Sequence, residues 1–422
     1  MIDKVKKLCH GCSCGKEHTL LTSVCEISEE AAPLMNRYLT KNGYKNAAVI
    51  CDENTVRFAR PLAAAISTDC IFILPGNAHA TEVYTVLTDK FLTECDADIA
   101  VACGAGSVHD ITRYAAFEKK IPFISYPTAA SVDGFVSGVA AMTWYGQKLT
   151  FPSAPPSAVF ADPNVFSDAP ARLTASGAGD VYGKYTSLFD WKVSNILTGE
   201  HYCEEIAALE YDALNAVTAV IHNRENISVK EYTVKIMEAL LLSGLAMQLM
   251  GNSRPASGAE HHMSHLWEMH CINKETDALH GEKVSVGLMC VVRKYSEWLK
   301  DGIFPVFTNE MLGKYFAAEN LKSVFGSLTE GIIRENLPKG GSSLTKITED
   351  GIARSALVKE AFKTIPSCEE LNALLEKAEV PKRLSDINLP ENEDFLRKSL
   401  HYAPYVRDRL SLLKIISASE SV

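Results

Sequence analysis

The sequence predicts an α/β domain built on a parallel sheet, followed by an all-helical domain. Two observations lead to this fold class. Between about residues 45 and 165, short apolar runs that end at Gly, Pro or Asp alternate with stretches long enough for crossover helices, a pattern typical of buried parallel strands. From Thr174 onward, long helical patterns dominate and few β-rich runs interrupt them. We therefore place a boundary near residue 166, which gives an α/β domain over 1–165 and a helical domain over 166–422.

The predicted elements follow in chain order. Strands are predicted at 47–51, 70–74, 99–103 and 122–126, with crossover helices over 54–67 and 107–119. Helices of the second half are predicted at 183–197, 203–222, 228–250, 260–266 and 285–300. In a parallel sheet of this kind, ligands bind beyond the carboxyl ends of the strands. The residues that follow each strand are therefore the first place to look for a site.

Composition and charge exclude several classes of function. The 422 residues carry a net charge of −10 and no strong basic run, which argues against nucleic acid as a partner. The amino terminus leads into Cys and His residues rather than an apolar signal segment. The most apolar helical run, Ile236–Met250, contains a Glu and a Gly and is short for a membrane span, so we expect a buried helix and no membrane insertion. The 12 cysteines lack a disulfide-scaffold spacing, which indicates reduced thiols and a cytoplasmic location.

A cysteine-rich segment stands apart near the amino terminus. Cys9, Cys12 and Cys14 have the spacing CxxCxC, with His10 and His18 close by. One interpretation is a second, structural metal site. The other is a reduced Cys-rich hairpin, which is favoured because no clear partner pair of ligands follows downstream.

One aspartate and three histidines form the pattern with the most chemical content. Asp180 lies in the glycine-rich run GAGDVYGK, His261 and His265 are four residues apart, and His280 is followed by Gly281. Residues four apart in a helix share one face. One carboxylate and two neutral imidazoles make a site for a borderline divalent metal with a coordination position left open for substrate. The pattern therefore indicates a catalytic metal rather than a structural one.

A candidate phosphate-binding turn follows the third predicted strand. Small residues from Gly104 to Ser107 open a predicted helix, where backbone N–H groups can accept a pyrophosphate. The run is not the GxGxxG fingerprint, and the acidic residue expected about 20 residues downstream is missing. Asp52, at the end of an earlier strand, is the best substitute. A tight turn that uses glycine for steric reasons alone remains the alternative.

Hydroxyl-bearing residues follow the fourth predicted strand. Thr128, Ser131 and Ser137 could bind a nicotinamide amide or a phosphate, and Asp133 could orient a substrate hydroxyl. A capped turn, in which these side chains satisfy backbone groups, would have the same composition. The segment alone does not choose between the two.

Together these motifs resemble the sn-glycerol-1-phosphate dehydrogenase family, within the iron-containing alcohol dehydrogenase and dehydroquinate synthase superfamily. The resemblance rests on five segments in order, which are GAGSVHD (104–110), PTAASVDGFVS (127–137), ASGAGDVYGKYTSLFDW (175–191), SRPASGAEHHMSH (253–265) and LHGEKVSVG (279–287). It covers roughly residues 40 to 290. The resemblance implies a dehydroquinate synthase-like fold with a Rossmann-like nucleotide-binding domain, and a homo-oligomer, with a dimer favoured.

The resemblance also implies roles for individual residues. The implied NAD(P)-binding residues are Asp52, Gly104, Gly106, Ser107, Val108, His109, Asp110, Thr128, Ala129, Ala130, Ser131 and Ser137. Asp180, His261 and His280 would hold one divalent metal, with Zn or Ni expected and Fe less so. Asp133, Asp180 and His265 would serve the reaction and contact substrate. Asp52 would disfavour the extra phosphate of NADP.

The implied reaction is NAD(P)H-dependent reduction of dihydroxyacetone phosphate to sn-glycerol 1-phosphate, and its reverse. Lys184 and Arg254 are our candidates for the substrate phosphate, because that anion needs basic partners; a solvated face or an ion pair is the alternative role for both. Two rival activities stay open: a polyol dehydrogenase without phosphate specificity, and a lyase that uses NAD transiently. The lyases expect Glu at the first ligand position, so Asp180 counts against that class.

Overall fold

The structure is a computed structural model, which describes residues 1–145, 147–337 and 341–420. Contacts divide the chain into two compact units. The first unit contains Met1–Val181 and Ala208–Asn252, and the second contains Tyr182–Ala207 and Ser253–Val422.

The strands of the described chain form a six-stranded parallel sheet and a separate hairpin. They are β1 (Val24–Ile27), β2 (Ala47–Asp52), β3 (Ile71–Leu74), β4 (Ile99–Gly104), β5 (Phe123–Pro127), β6 (Val139–Trp144), β7 (Gln147–Pro152) and β8 (Ala158–Ala161). The sheet has the order β1-β8-β5-β4-β2-β3, and β6 pairs with β7 in antiparallel fashion. The parallel sheet is confirmed, and the four predicted strands correspond to β2, β3, β4 and β5.

Helices make up most of the rest. They are α1 (Ile2–Lys6), α2 (Ala31–Asn42), α3 (Val56–Ala65), α4 (Glu82–Glu94), α5 (Gly106–Glu118), α6 (Pro163–Phe166), α7 (Ala171–Tyr182), α8 (Lys184–Thr198), α9 (Glu204–His222), α10 (Val229–Met250), α11 (Ala259–Glu268), α12 (His280–Asp301), α13 (Asn309–Tyr315), α14 (Ala318–Phe325), α15 (Thr329–Asn336), α16 (Glu349–Ala353), α17 (Ala356–Phe362), α18 (Cys368–Lys377), α19 (Glu393–Tyr402) and α20 (Leu412–Glu420). Short 3₁₀ turns occur between them, including one at Asp133–Val136. The predicted helical character of the second half is confirmed.

The strand order places a ligand crevice at one position of the sheet. The central strands β2, β4 and β5 are almost wholly buried, because apolar clusters cover both faces of the sheet. From β2 the chain moves outward to β3 and then crosses back to β4 on the other side of β2. That reversal is the topological switch point of an open parallel sheet, where ligands bind. Asp52 and Gly104 end the two strands that flank it.

The long helix α10 packs against the 133–136 turn in the first unit. A Cβ on Gly244 would lie 2.1 Å from Val136 Cγ2 and 2.7 Å from the carbonyl oxygen of Asp133, so the absence of a side chain lets the helix approach the 133–136 turn. The sequence places Ala208–Asn252 in the helical domain, whereas contacts group this segment with the first unit. A compact unit defined by contacts need not coincide with a folding domain. The domain boundary at residue 166 therefore stays a prediction.

Helix α10 has the length and composition of a membrane-spanning segment, and within the described residues it is the helix that meets both criteria. However, 61% of its most apolar window is buried inside the protein. A core helix with this degree of burial passes the same test, so the observation gives only weak evidence for a membrane span.

The second unit is held together around a buried carboxylate. Asp190 on α8 accepts hydrogen bonds from the Tyr295 hydroxyl (2.8 Å), the Leu412 amide (2.9 Å) and the Ala259 amide (2.9 Å). These donors lie on α12, α20 and the first residue of α11. Burial, together with the nearby charge of Glu260, raises the pKa of Asp190 to about 7. One side chain thus fixes the start of α11, where the predicted metal ligands begin.

Candidate active site

Three histidines converge in the second unit. His261 and His265 lie on α11, and His280 is the first residue of α12. Their ring centroids are 5.2 Å apart for His261 and His280, 5.9 Å for His265 and His280, and 6.2 Å for His261 and His265. A ring nitrogen of His261 and one of His280 lie within 4.8 Å of each other. Two imidazoles at this separation can hold one metal ion.

Carboxylates orient all three rings from behind. Nδ1 of His261 hydrogen-bonds Glu260 Oε1 at 2.6 Å. Nδ1 of His265 and Nδ1 of His280 contact the two oxygens of Glu268 at 3.2 Å and 3.3 Å. Because an ionised carboxylate only accepts, each Nδ1 carries the proton and each Nε2 carries the lone pair. Metal-binding histidines are held in this way in proteins.

The two carboxylates are themselves supported. Glu260 accepts from the Thr186 hydroxyl at 2.6 Å and from the Gly258 amide at 2.7 Å. Burial alone would raise the pKa of Glu260, but the hydrogen bond and charge of His261 and the hydrogen bond from Thr186 outweigh it and lower that pKa. Glu268 also pairs with Lys283 Nζ at 3.1 Å. Glu260 is therefore an ionised acceptor at neutral pH, and the ammonium of Lys283 favours the ionised form of Glu268.

His265 is neutral at physiological pH. Burial lowers its pKa to about 4, although the hydrogen bond to Glu268 acts in the opposite direction. Its Nδ1 proton is directed to Glu268, so its Nε2 is an acceptor. A substrate hydroxyl could donate to this nitrogen.

Asp180 and Asp133 meet in the first unit. The backbone N–H of Asp133 donates to Asp180 Oδ2 at 3.0 Å, and the Ser243 hydroxyl contacts Asp133 Oδ2 and Glu210 Oε1, both at 3.1 Å. Asp180 and Glu210 are fully buried. Since a hydroxyl has a single proton, Ser243 can donate to only one of these two carboxyl groups at a time. The structure thus brings together the two aspartates that the sequence singles out.

The turn after β4 has the shape of a phosphate-binding loop. A Cβ on Gly104 would lie 2.5 Å from Val108 Cβ, so the turn is too tight for a side chain there. Gly106 begins α5, and a Cβ on it would meet only Val132 Cγ2, at 3.6 Å. The backbone N–H groups of Gly106 and Ser107 are in the first turn of the helix, where an anion is favoured.

An unsatisfied hydroxyl lies at the end of β5. Thr128 is 3% exposed, and its Oγ1 has no hydrogen-bond partner within the described residues. Its backbone N–H donates to the carbonyl oxygen of Gly104, which joins the two loops. A buried hydroxyl without a partner is costly unless a ligand supplies one. The residues present therefore fit a bound dinucleotide at this edge of the sheet.

The next residues of this loop are packed against α7. Ala129 and Ala130 are buried, and a Cβ on Gly177 would lie 2.1 Å from the Ala130 carbonyl oxygen. The carbonyl of Ser131 accepts from the Ser176 hydroxyl at 3.4 Å. Ser137 Oγ accepts from the Val139 amide at 3.1 Å, which is the turn-capping role that the sequence left open.

Three residues of the predicted cofactor set have other contacts. His109 is 1% exposed; its Nδ1 contacts the Ala105 carbonyl at 3.0 Å and its Nε2 contacts Ser125 Oγ at 2.8 Å. Val108 fills the space beside Gly104, and Asp110 forms an ion pair with the buried Arg113. Both nitrogens of His109 are engaged and the side chain of Val108 faces the core, so these two side chains support the loop. Their contact with the cofactor stays a prediction.

The last sequence candidates lie at strand and helix ends. Asp52 Oδ1 accepts from the amide and the hydroxyl of Thr55, at 2.8 Å and 2.7 Å, just before α3. Lys184 is fully buried at the start of α8. Arg254 is 3% exposed, and its guanidinium donates to both carboxylate oxygens of Glu200 and to the Leu410 carbonyl. The structure therefore gives Arg254 the ion-pair role that the sequence held as its alternative, and we no longer assign the phosphate to it.

Comparisons with known proteins identify the family to which this chain belongs. Residues 26–170 match the family model described as iron-containing alcohol dehydrogenase. The chain is 32% identical to the glycerol-1-phosphate dehydrogenase [NAD(P)+] of Bacillus licheniformis, over 99% of this chain and 94% of that protein. The chain belongs to the glycerol-1-phosphate dehydrogenase family. The Bacillus subtilis member is also 32% identical, over 96% of this chain and 94% of its own length.

More distant solved structures share the fold of this glycerol-1-phosphate dehydrogenase family member. Maleylacetate reductase from Agrobacterium tumefaciens superposes with a TM-score of 0.63 at 14% identity, over 95% of each chain. An iron-containing alcohol dehydrogenase from Corynebacterium glutamicum gives 0.62 at 15% identity, over 96% of each chain. The predicted fold class and family are confirmed.

Sequence reasoning missed the carboxylates that orient the histidines of this family member. Glu260 immediately precedes His261, and Glu268 follows His265 by three residues on the same helix. Residues three apart on a helix have neighbouring side chains, so the contact between Glu268 and His265 could have been predicted from their spacing. Lys283, three residues after His280, had the same signal.

Proposed function

We propose that this protein catalyses the NAD(P)H-dependent reduction of dihydroxyacetone phosphate to sn-glycerol 1-phosphate, and the reverse oxidation. Family membership at 32% identity over 99% of the chain supports the reaction. The single structural observation that carries the proposal is the set of three histidines whose Nδ1 atoms all face carboxylates. That arrangement is typical of a metal site and has no use in an ordinary helix packing.

The proposed ligands of one divalent metal are Asp180, His261 and His280. Imidazole and carboxylate donors suit Zn, Ni and Fe, and we propose Zn or Ni. Glu260 and Glu268 would keep the two imidazole rings in place and make them more basic. Asp133 would serve as a substrate-binding residue beside Asp180, to which its backbone donates.

The proposed cofactor is NAD(P), bound at the carboxyl ends of β2, β4 and β5. Gly104, Gly106 and Ser107 would offer backbone N–H groups to the pyrophosphate, and Asp110 lies one turn further along α5. Thr128 Oγ1 would gain the partner that it lacks within the described residues. The proposed set is completed by Asp52, Ala129, Ala130, Ser131 and Ser137.

The chemistry divides between the bound groups and the chain. When bound, the metal supplies Lewis acidity at the C2 oxygen of the substrate and the reduced nicotinamide supplies hydride to C2. In the oxidation direction His265, with Nδ1 held by Glu268, would accept the hydrogen bond of the substrate hydroxyl at Nε2 and pass its proton toward solvent; in the reduction direction the same path would return a proton to the C2 oxygen. Lys184 is the proposed partner of the substrate phosphate, because its buried ammonium would be worth more to an anion than a solvated one.

The assay compares five substrates of the purified enzyme. We expect NADH consumption at 340 nm with dihydroxyacetone phosphate and far slower consumption with dihydroxyacetone. In the reverse direction, sn-glycerol 1-phosphate should be oxidised far better than sn-glycerol 3-phosphate, since metal and phosphate fix both ends of a small molecule and the enantiomer turns its C2 hydrogen away. Comparable kcat/KM for glycerol and its 1-phosphate would indicate a polyol dehydrogenase. Product formation without net NADH consumption would indicate a lyase.

Dialysis against a chelator tests the metal assignment. Turnover should disappear and return when Zn or Ni is restored, while circular dichroism stays largely unchanged. Full turnover of the metal-free enzyme would contradict the roles of Asp180, His261 and His280. We further propose that the enzyme acts in the cytoplasm as a homo-oligomer, with a dimer favoured, on a small phosphorylated substrate rather than on nucleic acid or a membrane.

A further inference from the structure

A second group of metal-ligand side chains lies in the amino-terminal segment of the first unit. Sγ of Cys12, Sγ of Cys14 and a ring nitrogen of His18 all lie within 4.8 Å of one another. Cys12 and His18 are buried, and no disulfide joins any cysteine of the described chain. From this geometry we propose that these three side chains hold a structural zinc ion, separate from the catalytic metal.

The histidine is oriented as a metal ligand would be. His18 Nδ1 donates to the carbonyl oxygen of Leu249 at 2.8 Å, and its Nε2 lies 3.2 Å from Cys14 Sγ. The carbonyl can only accept, so Nδ1 carries the proton and Nε2 carries the lone pair. Leu249 belongs to α10, so a core helix fixes the direction in which the ring presents Nε2. Such a contact behind the ring is typical of ligating histidines.

The backbone turns at two glycines, and this brings the thiols of Cys12 and Cys14 close together. Gly11 and Gly15 have φ of +84° and +75°, and a Cβ on either would meet nothing within 4 Å. These glycines are therefore needed for the left-handed conformation rather than for space. The Gly15 amide donates to the Cys12 carbonyl at 3.1 Å, which closes the turn around Cys14.

The donor set selects the class of metal. Thiolate and imidazole are the ligands of structural zinc, whereas magnesium and calcium take oxygen. Binding breaks the S–H bond of each cysteine, forms a sulfur–metal bond and releases one proton per thiol to solvent, with no change of oxidation state. The segment 1–23 has only one short helix and one 3₁₀ turn, so a metal would supply the cross-link that its small core does not.

Cobalt substitution tests the site directly. Cobalt bound by thiolates gives an intense near-ultraviolet charge-transfer band, which a site made of Asp and His cannot produce. We expect this band in the cobalt-loaded full-length protein and its loss in Cys14→Ser. Cys368→Ser, a cysteine at the start of α18 outside the cluster, is the matched control and should keep it. His280→Ala should also keep it, which separates this site from the proposed catalytic metal.

Metal analysis and alkylation give two further readouts, and alkylation uses the unmodified protein, so it does not depend on a variant that folds. Zinc-loaded protein should hold about two metal ions per chain, and Cys14→Ser about one. With zinc, Cys12 and Cys14 should resist iodoacetamide in peptide mapping, and chelation should expose both while leaving the reactivity of Cys368 unchanged. The absence of a thiolate–cobalt band, a Cys12–Cys14 disulfide in the purified protein, or equal alkylation with and without zinc would overturn the proposal.

Discussion

Replacing Gly177 by alanine should damage the cofactor loop through a single steric contact. Gly177 lies within α7, and its missing side chain leaves room for the Ala130 carbonyl oxygen, which a Cβ would approach to 2.1 Å. A carbon and an oxygen in close contact are separated by about 3.3 Å, so the loop or the helix must move by about 1.2 Å. The clash involves backbone atoms, and no rotation of a side chain relieves it. The same Cβ would also lie 3.0 Å from Leu240 Cδ1.

The expected magnitudes follow from this displacement. Overpacking of a tight core costs about 1–3 kcal/mol, whereas alanine in place of glycine gains up to about 1 kcal/mol in a helix. We expect a net loss of about 1–2 kcal/mol in the free energy of unfolding. The larger effect should be functional, because a misplacement of about 1 Å at a binding site costs on the order of 100-fold in activity. The dissociation constant for NADH should therefore rise at least about tenfold.

The assay is NADH fluorescence titration combined with a thermal melt. Gly331→Ala is the matched control, because Gly331 is an exposed glycine inside α15 and a Cβ there would meet nothing within 4 Å. The control should melt at or slightly above the temperature of the unmodified protein and bind NADH normally. If Gly177→Ala binds NADH as tightly as the unmodified protein and melts no lower, the loop at Ala130 does not hold the cofactor as proposed.

Three further variants test the rest of the site. Glu268→Gln should lower metal affinity about 10- to 100-fold because two histidine rings lose the carboxylate that orients them. Competition with a chelator measures the affinity, and Glu275→Gln, at an exposed position, is the control. Equal metal affinities of the two variants would contradict the role of Glu268. Asp52→Ser should reduce discrimination against NADPH, since a 2′-phosphate would no longer meet a carboxylate; an unchanged NADH/NADPH ratio of kcat/KM would show that Asp52 does not reach the ribose. Lys184→Met should raise KM for dihydroxyacetone phosphate far more than for dihydroxyacetone; equal changes for both would exclude a phosphate contact.

Three of the four strands that the sequence predicted, β2, β4 and β5, are buried on both faces, whereas the fourth, β3, is an edge strand with an exposed Ile73. β2, β4 and β5 are continuous apolar runs, and such a run can be recognised as a buried strand without knowledge of the strand that pairs with it. The edge strand β1 has the mixed pattern VCEI, and β8 is only four residues long after a proline-rich stretch. Their pairing joins residues more than 100 positions apart, which no local pattern records. The strand order and the crevice between β2 and β4 therefore required the structure.

The histidines of the candidate metal site could be predicted from the sequence, but the hydrogen bonds that orient their rings could be predicted only in part. The four-residue spacing of His261 and His265 is a helical signal, and their common face follows from it. That the Nδ1 atoms of His265 and His280 face the same carboxylate depends on the packing of α11 against α12. The sequence likewise could not show that Glu200 engages Arg254, because the partner lies 54 residues away.

A single motif can mix residues that touch a ligand with residues that hold the loop in place, as His109 shows. It stands inside GAGSVHD, yet its ring lies edge-on to Phe135 and bridges the Ala105 carbonyl to Ser125 of β5. Burial, with a contribution from the charge of Arg113, lowers its pKa to about 3, so the ring stays neutral and can donate at Nδ1 while it accepts at Nε2. A charged ring would leave Ser125 without an acceptor in a fully buried place. The turn requires a neutral histidine as well as its glycines. The sequence motif therefore contains structural residues that the pattern alone does not distinguish from ligand-binding ones.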